Sequence, residues 1–198
     1  GYDGPIYCSE PTQALMLLLQ LDYLDVLAKE GKTPPYDQKN VREVALHTIP
    51  IHYGVVTDIS PDVRLTLHNA GHILGSSIIH LHIGEGAYNI VYTGDYKYAK
   101  TLLLEPAAVE FPRVESLITE STYGAAEDVM PPRIESEKRF VDIINRTLEN
   151  GGKVLIPVPA VGRAQEIMLI IDSYLRQGLL KEVPVFIEGM ISEATAIH

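Results

Sequence analysis

The stretch from His68 to Tyr96, HNAGHILGSSIIHLHIGEGAYNIVYTGDY, most narrows what this chain can fold into. Two runs rich in apolar residues, 78–83 and 87–92, lie between glycine-containing loops, which is how short paired strands read. Candidate strands at 54–59 and 63–68 precede them, so the pattern predicts consecutive strands of one antiparallel sheet. The loop AGHILGSS presents His72 between two glycines. The loop YTGDY presents Asp95 just past the apolar Ile90, Val91 and Tyr92. An imidazole and a carboxylate at strand ends are suitable metal ligands. Strands fix their Cβ positions, and glycines let backbone and solvent approach an ion. Two ligands alone do not hold a zinc ion.

Before this stretch, residues 6–8 read as a short strand, and Ser9-Glu10-Pro11-Thr12 as a helix start with a capping serine and an early proline. The helix running to about Lys29 carries Leu15, Leu18, Leu19, Leu21, Leu24 and Leu27, a face wide enough to require burial against a sheet. Gly31 ends it, and a weaker helix is expected near 41–46. After the stretch, residues 116–119 read as a buried strand delivering Glu120. Beyond Gly124 the pattern changes. A linker-like loop precedes a helix with Ile134, Phe140, Val141, Ile144 and Leu148 on one face, stopped by Asn150-Gly151-Gly152. The strand VLIPV, a helix from about Gly162 to Gly178, the strand VPVFI and a helix opened by Ser192 follow. Such alternation predicts a parallel α/β layer and a boundary dividing the chain into domains 1–124 and 125–198.

Composition bounds the function classes. With 198 residues, 46% hydrophobic and 21% charged, the chain reads as globular. Its most apolar run, 14–19, is far short of the roughly 20 residues of a membrane span. One cysteine, Cys8, excludes an internal disulfide and a cysteine-based zinc site, and a cytoplasmic setting is the default. A net charge of −10 argues against a phosphate-binding surface made by this segment alone.

Four segments, GPIYCSEPT, LHNAGHILGSS, VYTGDY with LITESTYG, and GGKVLIPVPAVGRAQE, together resemble the β-CASP nucleases of the metallo-β-lactamase fold. Within that family they are most similar to the branch of the cleavage and polyadenylation specificity factor nuclease subunit and its archaeal relatives. The resemblance implies an α/β architecture: part of a metallo-β-lactamase αβ/βα sandwich, then the first part of a β-CASP parallel α/β domain. It also implies a zinc-dependent ribonuclease of RNA 3′-end processing or decay, with two zinc ions in the intact parent. By resemblance, His72 is a ligand of one zinc, Asp95 bridges the two, and Glu120 orients a metal-bound group or takes part in proton transfer. RNA is the implied partner, with a homodimer or an RNA-processing complex formed by the parent and no membrane association.

Other residues carry two readings each. In VGRAQE, Arg163 at a helix start is positioned either to contact RNA phosphate or simply to pack at the helix N-terminus. It is not a phosphate-binding P-loop, which needs a lysine and a different glycine spacing. His80 and His82 share one strand face. The family's H-x-H-x-D-H signature would continue where Gly84 and Glu85 stand, so the pair is expected on an exposed, structural face. His68 stands either as a donor near the metal or as a packed strand-end residue. His47, His52 and His198 have no assignable partner. The missing signature, Gly1 at the start and a truncated helix at the end fit a fragment that is inactive alone. A non-catalytic scaffold subunit of an RNA-processing complex is the alternative, and a small-molecule hydrolase on the lactamase fold a weaker third reading.

Overall fold

The structure is a computed structural model describing residues 2–198; Gly1, the first residue of the expected first domain, lies outside them. The chain is mixed α/β and divides into two compact units, one comprising residues up to Glu120 together with Glu193–His198, the other Ser121–Ser192.

In the first unit, β1 (Ile6–Cys8) pairs in parallel with β2 (Thr48–Pro50) across α1 (Glu10–Lys29) and α2 (Gln38–His47). Pro11 sits in the first turn of α1, where a missing N–H leaves no bond unmade. After α1 the chain turns at Gly31 (φ +67°). Asp37 and Asn40 bond reciprocally to each other's backbone N–H at 3.0 Å, a capping box that extends α2 before the expected start at Val41.

Five further strands form one sheet: β3 (Thr57–Ser60), β4 (Val63–Asn69), β5 (Ser77–Ile83), β6 (Tyr88–Tyr92) and β7 (Ser116–Ile118), in that spatial order. Pairings from β3 to β6 are antiparallel, as the alternation predicts, and β7 joins β6 in parallel. On one face Leu65 and Leu67 are buried with Ile51, packed by Tyr7, Ile79 and Leu81. The opposite face buries Ile78 and Val91 with Ala70 and Ala107, and Phe111 covers it.

That second face corrects one expectation. His80 is not exposed: it is 1% accessible, with the His82 ring tilted against it (centroids 4.1 Å apart) and Phe111 meeting it edge-on. The segment around Phe111 folds back over the strand and removes it from solvent. The strand 116–119 is corrected in the other direction. Leu117 and Ile118 are exposed, because β7 is an edge strand.

The second unit packs α3 (Arg133–Glu149) against α4 (Arg163–Arg176) around Val141, Ile144, Ile171, Tyr174 and Leu180. Buried Glu137 is met by Arg133 at 3.1 Å and accepts the Tyr174 hydroxyl at 3.4 Å. Burial, with the Glu137 charge second, pushes the Tyr174 phenol up. VLIPV and VPVFI are not strands here. Their β-branched composition favours extended backbone, but a strand exists only through a neighbouring ladder, and Leu155 (92%) and Phe186 (85%) face solvent. The last helix, α5, spans Ile191–Ile197. Among the described residues no helix is long and apolar enough to cross a membrane.

Candidate metal centre

Two loops at one end of the five-stranded sheet, both in the first unit, carry the expected ligands. The first closes on itself between β4 and β5. Ala70 N–H donates to Ser76 O at 3.0 Å, and Ser76 N–H to Ile73 O at 3.0 Å. The Ser76 hydroxyl oxygen accepts the N–H of His72 (3.1 Å) and of Ile73 (3.2 Å), so His72 hangs on a single side-chain oxygen. Tyr53 reinforces the turn by donating its hydroxyl to Ser76 O at 2.9 Å.

The second loop leaves β6 at Thr93, whose N–H is bound to Ile118 O at 3.0 Å, and turns at Gly94 (φ +55°) to present Asp95. Backbone bonds then lock the two loops together: Lys97 N–H to Ala70 O, Ala107 N–H to Lys97 O and Ala108 N–H to Asn69 O, each 2.9 Å. Asn69 adds its amide, donating to Glu105 O (3.1 Å) and Pro106 O (3.0 Å) while accepting Gly71 N–H at 3.0 Å. Gly71 lies at φ +65°, and a Cβ there would sit 2.7 Å from Glu105 O and 2.9 Å from Ala107 N. The apposition therefore requires glycine.

The result is that His72 Nε2 comes within 3.9 Å of Asp95 Oδ2, with both side chains open to solvent (43% and 70%). Two ligand atoms of one tetrahedral zinc stand about 3.3–3.6 Å apart at ordinary bond lengths. A small side-chain adjustment would put both within reach of one ion. Glu120, two residues past β7, is half-buried, and its Oε1 accepts the N–H of Tyr96 at 3.0 Å. Its own N–H reaches Thr93 Oγ1 at 3.4 Å. A backbone amide thus holds this strand-end carboxylate, and that amide belongs to the residue following Asp95.

The remaining histidines form a separate layer. Asn89 Oδ1 takes the Nδ1 proton of His82 at 2.8 Å, leaving Nε2 to accept from Thr66 Oγ1 at 3.0 Å. His80 Nε2 donates to Arg113 O at 3.1 Å. His68 packs on His80 and Phe111, and its buried Nε2 meets no hydrogen-bonding partner among the described residues. Burial, with the nearness of the His82 imidazole second, holds both His68 and His80 below the ordinary imidazole range, in keeping with their place as packing groups. Among the described residues no group of three or more His, Cys, Asp or Glu could hold a metal ion. His72 and Asp95 therefore stand as a pair, without a third such residue beside them among the described residues.

Arg163 opens α4 in the second unit with its side chain exposed, after Gly162 at φ +83°. The Gly162 N–H is taken by Gln165 Oε1 at 2.7 Å. Sequence reasoning passed over Asn69, Ser76 and Thr93, which shape the two loops; only their closeness to the motif glycines signalled them.

A mixed α/β chain with a histidine and an aspartate converging at adjacent sheet-end loops is consistent with a metallo-β-lactamase-like fold. No family model matches the chain. It is 59% identical over all 198 residues to the protein named Transcription termination factor FttA of Lokiarchaeum sp. (strain GC14_75), and equally to that of Methanothermobacter thermautotrophicus. Over 197 residues it is 56% identical to the Pyrococcus abyssi protein of the same name. The chain spans 31% of the length of the first two relatives and 30% of the third.

Proposed function

We propose that this chain is the part of a zinc-dependent, metallo-β-lactamase-type ribonuclease that carries His72, Asp95 and Glu120, and that the whole protein cuts RNA during 3′-end processing, decay or transcription termination. The observation that carries this is the 3.9 Å approach of His72 Nε2 to Asp95 Oδ2, made by two loops that backbone hydrogen bonds hold together. The names of the relatives, transcription termination factors, support an RNA-directed role.

An imidazole and a carboxylate suit zinc, and their spacing fits two neighbouring positions of one sphere. His72 and Asp95 would hold the metal; the remaining ligands must come from outside the described residues. Zinc, when bound, supplies acidification of a water and stabilisation of charge on the phosphoryl oxygens. The chain's own contribution is placement. Asp95 and His72 define where the reacting phosphate sits, and Glu120, bonded to the Tyr96 amide, fixes the backbone carrying Asp95 and offers a carboxylate for proton transfer. Arg163, exposed at the start of α4, would contact RNA phosphate as a guanidinium.

The test is RNA cleavage by the full-length protein. Cleavage should be abolished by EDTA and by Asp95→Ala; cleavage surviving Asp95→Ala would sink the assignment. RNA binding without metal-dependent cleavage would instead establish the scaffold-subunit reading.

A further inference from the structure

Ser9 stands at the N-cap of α1, where a serine hydroxyl ordinarily accepts a backbone N–H of the first turn and contributes about 1 kcal/mol. Here it makes no such bond. Instead, buried Ser9 Oγ donates to Gly75 O at 2.7 Å, a residue on the loop that carries His72. Thr12, one turn further along the helix start, donates its hydroxyl to the same carbonyl at 2.9 Å, and Ser77 approaches it at 3.0 Å. Ser9 Oγ and Thr12 Oγ1 are themselves 2.8 Å apart, so the two hydroxyls and the carbonyl form one cluster in which two protons serve three contacts at hydrogen-bonding distance. A carbonyl oxygen has two lone pairs, and three hydroxyls lie within 3.0 Å of this one, so protein donors saturate it.

Gly75 is shaped for that seat. Its φ is +78°, and a Cβ would lie 2.8 Å from each of Ser9 Oγ, Thr12 N and Thr12 Oγ1. The next residue, Ser76, holds the backbone N–H of His72 through its hydroxyl. A continuous path therefore runs from the first turn of α1, through the Gly75 carbonyl and Ser76, to the His72 backbone.

We infer that Ser9 and Thr12 are positioning residues for metal binding: their hydroxyls clamp the Gly75 carbonyl and so fix His72 opposite Asp95. This rests on the reading of His72 and Asp95 as zinc ligands. It explains why a capping serine forgoes its cap, and it gives the SEPT segment a role in the site despite its distance in sequence. Outer residues that orient metal ligands typically change metal affinity or activity by about 10–100-fold when removed.

The experiment measures zinc affinity of the full-length protein by competition with a chromophoric chelator. Hydrogen exchange of the His72 and Ile73 amides in metal-free protein is the second readout. Ser9→Ala/Thr12→Val should bind zinc at least tenfold more weakly and exchange both amides faster, while KM for RNA stays within about twofold. Thr12→Val alone should show a smaller loss in the same direction, which covers the case in which the double variant fails to fold. Thr12→Ser, which keeps the oxygen, should stay near the parent. Wild-type affinity and exchange in the hydroxyl-free variants, with zinc binding lost in Asp95→Ala, would overturn the clamp and leave the proposed function standing. An equal loss in Thr12→Ser and Thr12→Val would also overturn it, since the hydroxyl would then be irrelevant. A parent protein that binds no zinc would overturn both.

Discussion

Gly71→Ala should be among the most damaging single-methyl additions in the first unit, and its cost can be worked from the backbone around it. At φ +65° any L-residue pays left-handed strain of about 1–2 kcal/mol, partly offset by about 0.4–1 kcal/mol from a stiffer unfolded chain. Gly31 supplies the control. Its φ is +67°, but nothing lies within 4 Å of its would-be Cβ, so Gly31→Ala should cost only about 0.5–1 kcal/mol. At Gly71 the Cβ would meet Glu105 O at 2.7 Å, Ala107 N at 2.9 Å and Lys97 O at 3.0 Å, all backbone atoms that cannot swing aside. Overpacking of this kind adds about 1–3 kcal/mol. Urea unfolding followed by far-UV circular dichroism suits a chain without tryptophan and should separate the two variants by that margin. Equal stabilities within about 0.5 kcal/mol would refute the claim that the His72 and Asp95 loops are locked together through their backbones.

Four further outcomes are expected. The folded chain holds His68 and His80 below the ordinary imidazole range, so it binds fewer protons than the unfolded chain and stability rises with pH. That stability is lost as pH falls below about 6.5, by at most about 1.4 kcal/mol per pH unit for each histidine, and a urea midpoint no lower at pH 5.5 than at 7.5 would contradict it. Asp37→Ala removes one half of the capping box on α2 and should cost about 0.5–2 kcal/mol in the same assay. Ile144→Ala empties part of the core of the second unit and should cost about 2–5 kcal/mol. Leu155→Ala, at a position facing solvent, should stay within about 0.5 kcal/mol of the parent chain, and a larger loss would mean that VLIPV is packed after all.

What could be read from the sequence was local. The i, i+4 leucines of α1, the glycine after it, and the alternation of 63–68, 78–83 and 87–92 each report a nearest-neighbour geometry, and the structure places a helix or strand at each. The placement of His72 and Asp95 beside strand ends was legible for the same reason, since strand ends flanked by glycine are visible as strings. What failed depended on distant segments. The burial of His80 comes from Phe111, whose arrival over that face no periodicity encodes. β2 is three residues long and exists only because β1 lies beside it. VLIPV and VPVFI have strand composition but no paired ladder. The clamp on Gly75 was hidden because Ser9 reads as an ordinary helix cap, and only the fold shows its hydroxyl pointing elsewhere.

The most direct measurement is elemental zinc analysis of the full-length protein alongside its His72→Ala and Asp95→Ala variants, after dialysis against trace metal. The account predicts about two zinc ions per chain in the parent and a clear loss in both variants, Asp95→Ala losing more, since a carboxylate serves two ions where an imidazole serves one. Unchanged zinc content in both variants would show that these two loops, however closely held, are not where the metal binds.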